Sequence, residues 1–218
     1  SYQSEGAIYA KYLIKNKPSA KIGILYQNDD YGKDLLKGVE DGLGSAHAKM
    51  VVAKASYEVT DPTVDSQILT LQSSGADTFI NITTPKFGAQ AVRKAFDSGW
   101  KPLHIINNVS ASVGSVLKPA GLDKATGLLT LSYYKDPTDP QWKDDPGMIE
   151  WRAFMNKYYP EGDQNDAGNL YAYISAQTMV QILEQAGDNL TRENVMKQAA
   201  SLKNLKLPLL LPGMAINT

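Results

Sequence analysis

Few residues of this sequence have the types and spacing that chemistry at a bond would need. Its two histidines, His47 and His104, stand far apart, and cysteine is absent. A thiolate nucleophile, a disulfide and a Cys-ligated metal are therefore excluded. His47, in Ser45-Ala46-His47-Ala48, reads as an exposed link between a helix and a strand, and His104 as a half-buried structural imidazole in a strand. The paired carboxylates Asp29-Asp30 and Asp144-Asp145 read as solvated loop residues, with Asp29 or Asp30 capping a helix that begins near Lys33. No nucleophile elbow, phosphate-binding Gly-Lys-Ser/Thr loop or His-Glu-x-x-His pair occurs. After the first apolar run, Gln27-Asn28-Asp29-Asp30-Tyr31-Gly32 offers a single glycine. A dinucleotide pyrophosphate would lack its close-approach loop there. A phosphoacceptor reading fails too, because the third apolar run ends in Asn81-Ile82-Thr83-Thr84 without an acid. We expect no catalytic group, no metal and no cofactor.

The elements that must position any site alternate. A helix is expected over residues 4–16, with Ile8, Tyr12 and Leu13 on one side and Gly6, Ala7 and Ala10 between them. Ala20–Tyr26 is a near-continuous apolar run, the mark of a strand buried on both faces. Helical spacing follows at Leu35, Leu36, Val39 and Leu43, with Gly44 as its stop. Further strands are expected over 50–57, 77–83, 103–107 and 127–134, with helices over 64–73 and 89–98. A repeat of about 25–30 residues per strand-helix unit suits right-handed crossovers. The fold class is α/β, a doubly wound parallel sheet. A charged, proline-rich connector at 135–146 precedes three helices, over 148–159, over 169–186 and from Thr191 or Asp188 onward. Those three bring no strands of their own.

In an open parallel sheet, ligands bind beyond the carboxyl ends of the strands. That rule selects four loops, Gln27–Gly32, Ser56–Thr63, Thr83–Gly88 and Asn107–Ser112, rich in Asn, Thr, Tyr and Ser. Such groups suit hydrogen bonding to a small polar or aromatic molecule. Tyr31, in a loop beside a glycine, could lay its ring over a ligand. The 218 residues are 43% hydrophobic and 21% charged, with a net charge of -1. These values exclude a disordered chain and show no basic excess for nucleic acid. No apolar run approaches the length of a membrane span.

The segment Lys21-Ile22-Gly23-Ile24-Leu25-Tyr26-Gln27-Asn28-Asp29-Asp30-Tyr31-Gly32-Lys33-Asp34 resembles the strand-loop-helix signature of type I periplasmic binding proteins. More closely it resembles the branched-chain amino-acid (Leu/Ile/Val-type) substrate-binding components of ABC transporters. Ser74-Gly75-Ala76-Asp77, Thr83-Thr84-Pro85, Ser98-Gly99-Trp100, Asn107-Asn108, Gly127-Leu128-Leu129 and Tyr171-Ala172-Tyr173 follow in the matching order. The resemblance implies a bilobed protein that closes around a solute and presents it to a membrane permease in the periplasm, without inserting into the membrane. It places residues 1–134 in the second lobe, 135–204 in helices returning to the first lobe, and 205–218 at the start of a third crossover. The chain is then expected to be a fragment lacking most of the first lobe and the C-terminal end.

By the same resemblance Tyr31 is the tyrosine that stacks on ligand. Thr83 and Thr84 stand where an aromatic residue often touches it, and Asn107 and Asn108 where amino-acid binders place an acid for the ligand ammonium. This sequence has no acid at 107–109. An unpaired ammonium would be costly to bury there, so an aromatic or other carboxylate-bearing solute is expected rather than an α-amino acid. Two rivals remain open: a ligand-sensing regulatory domain of the same fold, and an enzyme whose catalytic groups lie in sequence outside this chain.

Overall fold

Ser1 begins the first helix, α1 (Tyr2–Asn16), by accepting the Ser4 N–H on its hydroxyl. The computed structural model describes residues 1–218, which divide into two units, Ser1–Leu131 and Ser132–Thr218. In the first unit α1 leads into β1 (Ile22–Gln27), α2 (Asp30–Leu43), β2 (Val51–Tyr57), α3 (Asp65–Ser73), β3 (Thr78–Ile82), α4 (Pro85–Asp97) and β4 (Leu103–Ile106). The four strands form one sheet in the order β2-β1-β3-β4, and every pairing is parallel.

Burial follows position in that sheet. β3 is buried along its whole length and β1 nearly so, because both are central and covered on two faces. β2 lies at an edge and alternates, with Val51, Ala53 and Ala55 turned inward. One apolar layer joins Tyr9, Ala10 and Leu13 of α1 and Leu35, Val39 and Leu43 of α2 to Ile22, Ile24, Ile80 and Ile82. The opposite layer joins Ile68 and Leu71 of α3 and Phe87, Ala91 and Ala95 of α4 to Leu25 and Phe79. Helices on both faces of a parallel sheet make the expected doubly wound α/β arrangement.

Several expectations are corrected. α1 does not bury Ile8 and Tyr12, which are exposed; it turns Gly6, Tyr9, Ala10 and Leu13 inward instead. The cause is a glycine contact: a Cβ on Gly6 would lie 2.3 Å from the Leu35 carbonyl oxygen, and one on Gly38 would lie 2.1 Å from that of Gln3. Only bare backbone lets α1 and α2 approach so closely. The loops after β1 and β3 are also shorter than expected. Asp29 caps α2 at once, accepting Gly32 N–H at 3.0 Å, and Pro85 starts α4, so Tyr31 and the 85–88 segment are helical.

The run 127–134 does not form a fifth strand. Leu129 makes a single parallel bridge to Ile105, and the Leu131 carbonyl is then taken by the Asn108 side chain at 2.9 Å. Beyond that point Tyr134 belongs to the second unit, where it bridges antiparallel to Leu210. One apolar run thus serves two separate cores.

The second unit contains α5 (Pro146–Tyr158), α6 (Ala167–Ala186) and α7 (Arg192–Ala199). Thr191, not Asp188, caps α7. Met148, Trp151, Met155, Leu170, Ile174, Leu209 and Leu210 form its core. Ile149, Phe154 and Tyr158 of α5 and Val180 and Leu183 of α6 are exposed. The connector is anchored by a buried lysine: Lys135 donates to Asp145 Oδ2 at 2.5 Å and to the Pro208 carbonyl at 2.8 Å. No helix is long and apolar enough to cross a membrane.

Candidate ligand-binding site

Parallel strands end on one side of the sheet, so their last residues meet without further design. Gln27 ends β1, Tyr57 ends β2, Thr83 and Thr84 follow β3, and Asn107 and Asn108 follow β4. Gln27, Tyr57 and Thr84 form one hydrogen-bonded set. The Gln27 carbonyl oxygen accepts both the Tyr57 hydroxyl and the Thr84 hydroxyl at 3.0 Å, and its amide donates to Asp29 at 2.5 Å. Tyr57 Oη in turn accepts the Thr84 N–H at 3.0 Å. Thr84 is therefore an N-cap residue whose hydroxyl turns away from its own helix to serve the network.

Tyr31, Thr83 and Asn107 make a second, closed set. Asn107 donates its amide to Tyr31 Oη at 2.5 Å and accepts the Thr83 N–H at 3.1 Å, while Tyr31 Oη donates to the Thr83 carbonyl at 3.0 Å. Ser110 also donates to that carbonyl. Thr83 and Asn107 have no exposed surface. Tyr31, Thr84 and Asn108 are half-buried. The Tyr31 ring stands edge-on to Tyr2 with centroids 4.9 Å apart. Its hydroxyl is held well above the usual phenol range, first by burial and then by the neighbouring Tyr57 and Glu5. Burial pushes Tyr57 up as well. Both phenols are neutral hydrogen-bonding groups.

Beneath this layer His104 is buried, stacks on Phe79 at 4.4 Å, and shares a 3.2 Å hydrogen bond with Asn81. Burial lowers its pKa to about 3, so the imidazole is neutral and structural. Thr83 Oγ1 donates to Asn81 Oδ1 at 2.7 Å, which links the site to this deeper pair. His47 is half-buried, 3.5 Å from Glu40, and Glu40 also holds Lys54 at 2.8 Å.

Of the five expected residues, Thr84 belongs to the first set and Tyr31, Thr83 and Asn107 to the second, while Asn108 is bonded to Leu131 and Glu5. Four others escaped the sequence. Gln27 and Tyr57 lie inside the loops selected by the strand-end rule, but nothing ranked them above their neighbours. Tyr9 and Glu5 come from α1, which that rule does not reach. Glu5 is only 9% exposed, and its Oε1 accepts the Asn108 N–H at 2.7 Å and the Tyr9 hydroxyl at 2.6 Å. A glutamate in the first turn of a helix carries a simpler meaning in sequence, interaction with the helix dipole. Burial, then the Glu5 charge, raises the Tyr9 hydroxyl far above its ordinary value.

Comparison with known proteins gives consistent matches. A family profile for periplasmic binding proteins matches residues 1–216. Leu/Ile/Val-binding protein homolog 8 of Brucella abortus is 27% identical over 199 residues, 90% of this chain and 47% of the relative. The chain spans about half the length of the curated relatives it matches. Among solved structures, a substrate-binding periplasmic protein from Ralstonia solanacearum superimposes with a TM-score of 0.79 at 25% identity, covering 95% of this chain and 57% of that one. A fatty acid ABC transporter substrate-binding protein from Thermomonospora curvata gives 0.78 at 22% identity, covering 100% and 55%.

Proposed function

This chain belongs to the periplasmic binding protein family, and from that premise we propose that it is part of the solute-binding component of an ABC importer. It acts without catalysis, outside the cytoplasm, and hands a small organic solute to a membrane permease. Nucleic acid and direct membrane insertion play no part in this role. The observation that carries the reading is the convergence of Gln27, Tyr57, Thr84 and Asn108 at the carboxyl ends of four parallel strands. These groups donate and accept hydrogen bonds, and no nucleophile among them is paired with a base.

The residues divide by exposure. Tyr31, Thr84 and Asn108 are the solute contacts in this proposal, and the sealed Thr83 and Asn107 hold them in place. Residues 1–134 are the second lobe, 135–204 the helices that return to the first, and 205–218 the start of a third crossover. Relatives carry different solutes in their names, Leu/Ile/Val in one case and fatty acid in another, so the solute class must come from this chain's own groups. Amides, hydroxyls and tyrosine rings suit an aromatic compound. The carboxylate-bearing class rested on loop 107–109 having no acid, and Glu5 now brings one to Asn108 from another element.

Calorimetric titration of the full-length protein with aromatic acids and amino acids tests the reading. We expect one class to bind with one solute per protein and without turnover. Chemical conversion of the bound compound, or no heat with any class, would overturn it.

A further inference from the structure

The amino ends of the four strands lie opposite the proposed site, and a lysine stands at three of them. Lys21 precedes β1, Lys49 lies two residues before β2 and Lys101 two before β4, while Asp77 precedes β3. The parallel register sets these starts side by side, with Ile22 opposite Val51 and Thr78, and Thr78 opposite Leu103. Strands about 4.8 Å apart spread the row over about 14 Å. Lys15, in the last turn of α1, adds a fourth cation at this end, where the following Lys17 reaches Asp77.

The acids that close the same loops and helices already hold other lysines. Lys17 Nζ donates to the Asp77 carboxylate at 2.8 Å and to the Asp77 carbonyl at 2.9 Å. In the last turn of α2, Glu40 holds Lys54 at 2.8 Å and Asp41 holds Lys37 at 2.5 Å; Asp97 at the end of α4 holds Lys124 at 2.6 Å. No carboxylate lies within 4.0 Å of Lys15, Lys21, Lys49 or Lys101, and all four side chains are exposed. Asp123, beside Lys124, forms no ion pair and offsets at most one of these charges. A lysine near a helix carboxyl end complements the helix dipole, which accounts for Lys15, but Lys21 and Lys101 lie in loops. The whole chain has a net charge of only -1, so the basic end is a matter of placement, not of composition.

We propose that this end of the first unit is an electrostatic docking surface for an anionic phospholipid bilayer, which it touches reversibly and without inserting. Lysines are flexible point charges that lack the planar fork by which arginine grips one phosphate in fixed geometry. A row of them fits a diffuse field of headgroups better than a single defined anion. Neighbouring strand starts lie well within a Debye length, about 8 Å at physiological salt, so the row acts on a charged surface as a unit. The turns between the lysines, Ser73-Ser74-Gly75 and Ser98-Gly99, carry no charge and little bulk. Ile14, exposed beside Lys15, offers an apolar side chain to the headgroup boundary. The proposed solute face lies at the other end of strands of four to seven residues, so a bilayer here leaves it uncovered. The inference does not depend on which solute binds.

The test is co-sedimentation of the full-length protein with vesicles of phosphatidylcholine alone and of phosphatidylcholine mixed with phosphatidylglycerol. Binding is expected to the mixed vesicles only, and it should be lost at about 1 M salt, where the Debye length falls to about 3 Å. Lys21→Gln, Lys49→Gln and Lys101→Gln should each weaken it about fivefold, and the triple variant by about a hundredfold. A control triple variant, Lys197→Gln with Lys203→Gln and Lys206→Gln, removes the same charge from exposed positions of the second unit and should bind as wild type does. None of these six lysines makes an ion pair, so the melting temperature should stay unchanged in both triple variants. Equal binding to both vesicle types, equal loss in the two triple variants, or no binding to the mixed vesicles would overturn the inference. Capture by immobilised polyglutamate without binding to the mixed vesicles would also overturn it, in favour of an acidic protein partner.

Discussion

The Asn107 side-chain amide donates to the Tyr31 hydroxyl at 2.5 Å, joining the residue after β4 to the first turn of α2 across 76 positions of sequence. Through Thr83, which exchanges bonds with both, three elements are locked by three side-chain hydrogen bonds. This lock adds a fixed orientation for the Tyr31 ring, which a binding face requires.

Cutting the lock should show coupling. Tyr31→Phe leaves the buried Asn107 amide without an acceptor, and Asn107→Ala strands the Thr83 N–H; each should cost about 1–3 kcal/mol. The double variant should cost less than the sum, by about 0.5–3 kcal/mol, because the two share one network. Urea denaturation of the full-length single and double variants measures this, and strict additivity would show that the three residues are independent.

Gly38→Ala tests the close contact that seats Glu5. The added Cβ would fall 2.1 Å from the Gln3 carbonyl oxygen, so α1 must move away from α2. We expect destabilisation of about 1–3 kcal/mol, seen as a lower Tm, and weaker solute binding from the displaced first turn. An unchanged Tm would mean that the helices separate at no cost.

His104 gives the first unit a defined acid response. Its folded pKa of about 3 lies below the ordinary value, 6.5, so the stability from keeping it neutral is fully present above 6.5. That stability declines as pH falls from 6.5 toward 3, where protonation opposes folding, by a few kcal/mol in all. His104→Gln, which can still bond Asn81, should flatten the stability profile in that window. Melting curves recorded from pH 7 to 4 provide the check; parallel profiles for the two proteins would contradict it.

The second unit should respond at lower pH. Burial alone would raise the Asp145 carboxyl, but the Lys135 ammonium and the Met148 N–H outweigh it and hold the pKa below the ordinary 3.8. A depressed carboxylate stabilises above its unfolded pKa and loses that contribution as pH falls through its folded one. Asp145→Asn leaves Lys135 buried beside a neutral amide and should cost on the order of 3 kcal/mol at neutral pH. The deficit should shrink on acidification below about pH 4. Hydrogen exchange at α5, compared at pH 7 and pH 3.5, follows it; a deficit independent of pH would refute the ion-pair account.

Period and burial pattern made the sheet legible. The continuous apolar runs at 22–27 and 78–82 could only be strands covered on both faces, and the helices between them set the parallel order and the end where polar groups collect. The loops that hold Tyr31, Thr83, Thr84, Asn107 and Asn108 followed from that end rule, because in a parallel sheet chain position alone decides which end a residue occupies, and the family resemblance singled out those five within them. The sequence could not say which of them are sealed, since burial depends on neighbours remote in the chain. Thr83 and Asn107 are closed over, and Thr84 and Asn108 are not.

The limits of α1, 127–134 and Glu5 have one physical cause. Local periodicity marks Ile8 and Tyr12 as core, but Gly6 and Gly38 permit a backbone contact that turns those residues outward. The apolar run 127–134 has strand character throughout, yet two cores divide it. Glu5 reads in sequence as a charge at the start of a helix, and Tyr9 is its one local partner. Its meaning arises 103 residues later, at the Asn108 N–H. Sequence by itself determined the elements, their order and the end of the sheet where a site must lie. Tertiary structure alone decided which carboxylate stands there, because a buried charge is defined by contacts that no local pattern encodes.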